Sequence, residues 1–585
     1  MFIGIGTSLM AGLKSSANPA SLFAASEPGA WYDPSDITTL FQNSAGTTPV
    51  TAPNQTVGLM LDKSRGLALG SELVVNGNPF VAANWTTSNE CSISGGVINC
   101  TTVVGANAQA YQGIASYSTA KAYQITINVT ALTGTLEIIA STSTYTVSIT
   151  TPGVKVLTLR PTATDYPYIT ARFLTGASGS ISSISLKELA GNHATQATAG
   201  QRPTYGINPI TGTRNLLTYT EQFDNAAWSK NNVTVTANAT TAPDGTLTAD
   251  TMVTSVGLSA QNMQTAPSGL STTASYTFSC YVKYKDYQFI QLATNSLYNS
   301  TYVNFDLVAG TVCSGSIAGT ITSVGNGWYR LAATVGTPTN STGGIAIVFV
   351  PNASAGRLNS ITGDGTSGVY IWGAQLEQSA TATAYQKVVT QYEVTEAGVQ
   401  SASYLAFDGV DDGMVTGTIT PGIDKAQVFA GVRQLSNSSY AGLVSFGTSV
   451  FDQGTFLAWL RASSGGGQLE CFAKGASSAT LGDVLGNAAL VVPATSVFSF
   501  LYDVAQVSVT DEIRPRQNGT VMSVTGTGSA GTGNFSTQIM TIGYYEGAQW
   551  FNGRIYSLII RFGANLTTGQ ITSTESWVNG KTGAY

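Results

Sequence analysis

The stretch Tyr276-Thr277-Phe278-Ser279-Cys280-Tyr281-Val282-Lys283-Tyr284 decides the fold class. Tyr276, Phe278, Cys280, Val282 and Tyr284 fall on one face of an extended chain, and Thr277, Ser279, Tyr281 and Lys283 on the other. A half-buried strand requires that period of two, because successive side chains point to opposite faces of a sheet. The alternation recurs at Ile125, Ile127 and Val129, at Tyr145, Val147 and Ile149, and at Val303, Phe305 and Leu307. Gly325-Asn326-Gly327-Trp328-Tyr329-Arg330 reads as a turn that launches another strand.

Composition points the same way. Hydrophobic residues make up 43% of the 585, enough for packed cores, while charged residues are only 10%, against roughly 25% in ordinary globular domains. Thr, Ser, Gly and Asn take their place, and these suit strand surfaces and turns better than helices. The expectation is an all-β chain of about three or four domains. A net charge of −6 argues against nucleic acid as a partner, since phosphate binding needs clustered Lys and Arg. No apolar run reaches 18 residues, so no membrane insertion is expected. Residues 1–13 are apolar without a basic lead-in and are read as a buried docking segment.

Catalytic motifs are scarce. The single histidine, His193, lies in a Thr- and Ala-rich stretch with no nucleophile elbow, and there is no C-x-x-C, P-loop or G-x-G-x-x-G. The sequence therefore predicts no enzyme, no cofactor and no metal. Asp408, Asp411 and Asp412 form the densest acidic cluster; hard cations take such oxygen ligands, but the expected role is turn chemistry, with Asp stabilising its own backbone. Cys91 and Cys100 flank a predicted hairpin. A cross-strand disulfide is geometrically allowed there, and two reduced core thiols are expected if assembly occurs in a cytoplasm.

Several phrases carry a family resemblance. Arg214-Asn215-Leu216-Leu217-Thr218-Tyr219-Thr220-Glu221-Gln222-Phe223-Asp224, with Trp228 after it, and Gly368-Val369-Tyr370-Ile371-Trp372-Gly373-Ala374-Gln375-Leu376-Glu377 bracket residues 212–386. This bracket resembles the carbohydrate-binding-like jelly-roll modules of tailed-bacteriophage fibre and other virion proteins, and Trp228 and Trp372 are expected in the core. Residues 71–189, opening on Glu72-Leu73-Val74-Val75 and closing on Ile184-Ser185-Leu186-Lys187, resemble a first copy. Asn192-His193-Ala194-Thr195 looks like the continuation of Leu61-Asp62-Lys63-Ser64, as if that sandwich were inserted. Tyr404-Leu405-Ala406-Phe407-Asp408 and Gly553-Arg554-Ile555-Tyr556 resemble the opening and closing strands of a laminin-G or concanavalin-A-like sandwich over 400–585. A short helix follows, capped by Thr568, with Ile571, Thr574 and Val578 on one face and Gly580 at its end.

The resulting organisation is an extended virion-docking segment over 1–70, jelly rolls over 71–189 and 212–386, linkers at 190–211 and 387–399, and the last sandwich over 400–585. Trp31, Tyr32, Phe41, Leu59 and Met60 would be costly to expose, and are expected to be buried by a partner virion protein. Tyr281, Tyr284, Tyr287 and Tyr298 are the candidate platform for stacking a host surface glycan. The resemblance implies a virion-surface fibre or appendage subunit, homotrimeric, that mediates adsorption to host polysaccharide. The alternatives are a capsid decoration or tail-scaffold protein that binds only virion proteins, and a depolymerase with two carboxylates facing one groove.

Overall fold

A computed structural model describes residues 18–115, 117–210, 214–267, 270–436, 441–460 and 466–585. Residues 1–13 lie outside the described residues. The chain divides into two compact units, Met1–Tyr205 with Ser403–Tyr585, and Gly206–Ala402. Both are all-β, built of antiparallel sheets, as the alternation predicts.

The unit Gly206–Ala402 packs two six-stranded sheets face to face. One runs Ser229–Asn231, Gln261–Thr265, Ile345–Phe349, Phe289–Thr294, Tyr302–Asp306, Thr311–Gly315; the other runs Val233–Thr240, Ala249–Thr254, Gly368–Glu377, Tyr276–Tyr284, Trp328–Gly336, Gly319–Gly325. Phe278, Cys280, Val282, Ile290, Leu292, Phe305 and Trp228 meet between them in one core. Trp372 is buried too, but outside that core, with Trp328, Ala242 and Ala249. The bracketing phrases meet directly: Leu216 N–H donates to Leu376 O at 2.8 Å, and the Asn215 side chain donates to Ala374 O and accepts from Leu376 N–H. Residues 387–399 are no loose linker, because Gln386–Val388 pairs with Val394–Glu396 as a hairpin.

The other unit holds two sandwiches. In the first, Thr142–Ile149, Leu136–Ala140, Tyr168–Phe173, Ala108–Gly113 and Thr86–Ser88 form one sheet; Gly153–Leu159, Ala122–Thr133, Ser178–Leu189, Val97–Cys100 and Cys91–Ser94 form the other, with Leu69–Glu72 on Ser178–Leu189. Cys91 and Cys100 are joined by a disulfide, which corrects the expectation of reduced thiols. The hairpin register makes them direct partners, with Cα atoms 4.1 Å apart.

The C-terminal sandwich is where the sequence expectation fails most. Its ten-stranded sheet begins Leu40–Phe41, Leu59–Met60, Ala194–Thr195 before reaching Met414–Val415, Met540–Ile542, Gly442–Phe446, Thr455–Trp459, Gln468–Lys474, Gly482–Ala489 and Val524–Gly528. In the facing sheet, one side of Asn552–Arg561 pairs with Ser401–Asp408 over residues 552–555 and with Gly29–Tyr32 over 558–561. The stretch expected as an extended docking segment over 1–70 is thus, where described, built into this sandwich. Trp31, Tyr32, Phe41, Leu59 and Met60 are all at most 6% exposed, covered by the chain's own strands. Proline blocks helix but not short strands, so a stretch without period still supplied three of them.

The segment is held by polar contacts as well. Arg561 is paired to Glu27 at 2.6 Å, Asp33 to Lys581 at 3.2 Å, and Trp31 packs edge-on against Trp577 of the C-terminal helix at 5.6 Å. Ala194–Thr195 pairs with Leu59–Met60, so the chain returns from the first sandwich beside the point it left. Asp62 marks that crossover: its carboxylate accepts from the N–H groups of Trp31, Ser64 and Asn192. The C-terminal helix spans Thr568–Thr582. Its cap is Thr567, one residue earlier than expected, in a capping box with Gln570, and Gly583 rather than Gly580 ends it in the left-handed conformation. Glu575 fastens the helix to the sheet through a buried bidentate pair with Arg516, at 2.7 and 3.0 Å.

Candidate functional site

The four tyrosines expected as a platform do not share a surface. Tyr281 is half-buried, packed edge-on against Trp372 at 5.2 Å and Tyr385 at 6.0 Å, with the Arg330 guanidinium over its ring at 5.4 Å. Tyr284, an odd number of residues along the same strand, faces the other way and is 42% exposed. Tyr287 packs on Phe349 and donates to Val350 O at 3.2 Å. Tyr298 is fully buried, donating to Gly336 O at 3.1 Å. Alternation along the strand and closure of the core separate them.

The acidic cluster is a turn at the end of Ser401–Asp408. Asp408 Oδ1 accepts from the N–H groups of Val410, Asp411 and Asp412 at 2.8, 3.2 and 3.4 Å, and Asp412 Oδ2 accepts from Asp408 N–H at 3.1 Å. One carboxylate oxygen from each of Asp408, Asp411 and Asp412 lies within 4.8 Å of the others. Burial, then the charges of Asp408 and Asp411, push the Asp412 carboxyl up to about 7. Its bonds are those of a self-stabilised Asp turn.

Beside this turn lies a cavity of the C-terminal sandwich. It has a volume of about 360 Å³ and is lined by Gly447, Thr448, Ile539, Thr541, Tyr544, Glu546 and Gly547. Two turns build it, one leaving Gly442–Phe446 and one leaving Met540–Ile542. Tyr545, only 2% exposed, ties them together: its hydroxyl accepts from Val450 N–H and donates to Glu546 Oε1, both at 2.8 Å. Thr541 Oγ1 donates to Tyr544 O at 2.8 Å, and Thr448 Oγ1 to Asp452 Oδ2 at 3.3 Å. The Tyr544 ring leans on Trp550 at 5.0 Å and 31°. Gly413, next to Asp412, makes room for it, because a Cβ there would lie 2.3 Å from Tyr544 Cδ1. Phe451, on the first turn, is 71% exposed.

The sequence matches no protein-family model, and it matches no curated protein. Among solved structures, it is similar to the N-terminal CBM22-1–CBM22-2 tandem domain from Paenibacillus barcinonensis Xyn10C, at 10% identity and a TM-score of 0.20, over 56% of this chain and 100% of that one. A likeness of that size fixes neither topology nor ligand.

Chemically, the cavity offers the Tyr544 ring, two threonine hydroxyls and one carboxylate. His193 stands elsewhere and is structural: its Nδ1 accepts from Asp62 N–H at 2.9 Å, its Nε2 lies 3.2 Å from Leu189 O, and burial lowers its pKa. The cavity residues were not singled out from sequence. The available signal was Gly543-Tyr544-Tyr545-Glu546-Gly547 with Trp550 close behind, an aromatic and acidic turn bounded by glycines. Nothing local says that the turn after Phe446 would meet it.

Proposed function

We propose that this chain is a non-catalytic recognition subunit of a bacteriophage virion, a fibre or appendage protein that binds host surface polysaccharide through the cavity of its C-terminal sandwich. The cavity carries the reading. Its volume falls within the range of small-ligand sites, and a few fixed polar groups converge on it beside apolar and aromatic surface. Sugar rings stack their C–H faces on aromatic side chains such as Tyr544, and their hydroxyls bond to groups such as Thr448, Thr541 and Glu546. The tie through Tyr545 holds both turns before ligand arrives, which limits the ordering cost of binding. The virion assignment rests on the sequence resemblance of the bracketing phrases. A homotrimer would multiply weak single-site contacts by raising effective concentration.

The test is binding of the intact recombinant protein to host cells, before and after their surface polysaccharide is stripped. Saturable binding that disappears on stripping, and that Tyr544→Ala weakens at least about tenfold, is the expected result. Binding to purified virion components alone would replace this reading with that of a decoration or scaffold protein.

A further inference from the structure

The three turns around the cavity, residues 408–413, 447–454 and 543–551, carry Asp408, Asp411, Asp412, Asp452 and Glu546, and not one Lys, Arg or His. Glu546 lines the cavity itself. Its Oε1 accepts from the Tyr545 hydroxyl, which orients the carboxylate, and among the described residues Oε2 has no hydrogen-bond donor. The Asp408–Asp412 turn abuts the cavity through Gly413 and Tyr544. Among the described residues, Lys474 is a cation at these turns, and its ammonium donates to the carbonyl of Phe451 at 2.7 Å. A ligand entering here meets hydrogen-bond acceptors and negative charge.

We infer that the cavity selects uncharged or amine-bearing sugar units and rejects acidic ones such as uronates, sialylated or phosphorylated sugars. The inference rests on the glycan-binding reading above and deepens it. A free carboxylate oxygen accepts from a sugar hydroxyl, and more strongly from an ammonium group. A carboxylate or phosphate on the ligand would instead face like charge, while the Lys474 ammonium is held on the Phe451 carbonyl. Desolvating such a ligand against Glu546 is unfavourable.

The experiment is an array of immobilised glycans in matched series, neutral, amine-bearing and acidic, probed with the full chain at low and at 0.5 M salt. The expected set of bound glycans is neutral and amine-bearing, with acidic members of the same series at least about tenfold weaker. Salt should weaken amine-bearing ligands and leave neutral ones unchanged. Glu546→Gln should raise the acidic signal several-fold relative to the neutral signal of the same variant, and Tyr544→Ala should weaken binding to every class at least about tenfold. Acidic glycans bound as well as neutral ones, or an acidic signal indifferent to Glu546→Gln, would overturn the selectivity while leaving the glycan-binding reading intact. A chain that binds no glycan would overturn that reading and the selectivity with it.

Discussion

The two units close their cores in opposite ways. Gly206–Ala402 is framed by its own opening and closing phrases, Asn215 reaching Ala374 and Leu216 reaching Leu376. The C-terminal sandwich is completed from the far end of the chain, with Glu27 and Arg561 paired across 534 residues. A unit of the first kind announces its limits in the sequence. One of the second kind hides strands in a proline-bearing stretch that looks like an appendage, and its large apolar side chains mimic an unsatisfied docking patch. Exposure cannot be judged from the segment alone when the covering surface lies hundreds of residues away.

This contrast can be broken most directly by truncation. Removing residues 18–64 takes three strands from the C-terminal sandwich, and that sandwich should lose its cooperative thermal transition, while 206–402 expressed alone keeps its own. Calorimetry on the truncated chain decides it; survival of both transitions would mean the amino-terminal strands are dispensable, as a true docking segment would be.

Point substitutions sharpen the contrast. Trp31→Ala and Trp228→Ala should each cost about 3–5 kcal/mol, the usual range for deleting a buried aromatic, but in different transitions. A shift of both transitions by either substitution would mean that the units do not unfold independently. Asp62→Asn should cost about 1–3 kcal/mol for each backbone donor it leaves unpaired at the crossover, read in the transition that contains Trp31.

Proton linkage gives a smaller, signed effect. Burial lowers the His193 pKa from its ordinary 6.5, with Asp62 and Glu188 opposing and Arg160 assisting. Its contribution to stability is therefore present above about 6.5 and lost as pH falls through the depressed folded value. Asp412 runs the other way. Its pKa rises from 3.8 to about 7, so the stability it contributes is present below 3.8 and lost as pH rises through about 7. Asp412→Asn should stabilise the C-terminal sandwich more at pH 8 than at pH 4, and a melting-temperature series across that range would show the flattened alkaline limb. Smallest of all, Tyr284→Ala at an exposed strand end should stay within about 0.5 kcal/mol and leave glycan binding untouched.

Strand alternation was legible wherever a strand ran long enough to show it. Tyr276–Tyr284 pairs on both sides, with one register shift in each ladder, its face of Tyr276, Phe278, Cys280 and Val282 lies in the core, and the Asp408 turn bonds as its residue types predict. Helix and turn chemistry were legible to within a residue or a few, since Thr567 caps in place of Thr568 and Gly583 closes in place of Gly580. The tyrosine platform was not. Spacing along the chain says which side of a strand a ring takes, and nothing about what lies above it.

By itself, then, the sequence determined the all-β class and the frame of the unit Gly206–Ala402, because each follows from local pattern. Only the tertiary structure decided that Trp31 and Tyr32 serve the core and that Thr448 and Tyr544 share a cavity. Two-residue strands carry no readable period, and two loops acquire a common surface only through the sheet that brings their ends together.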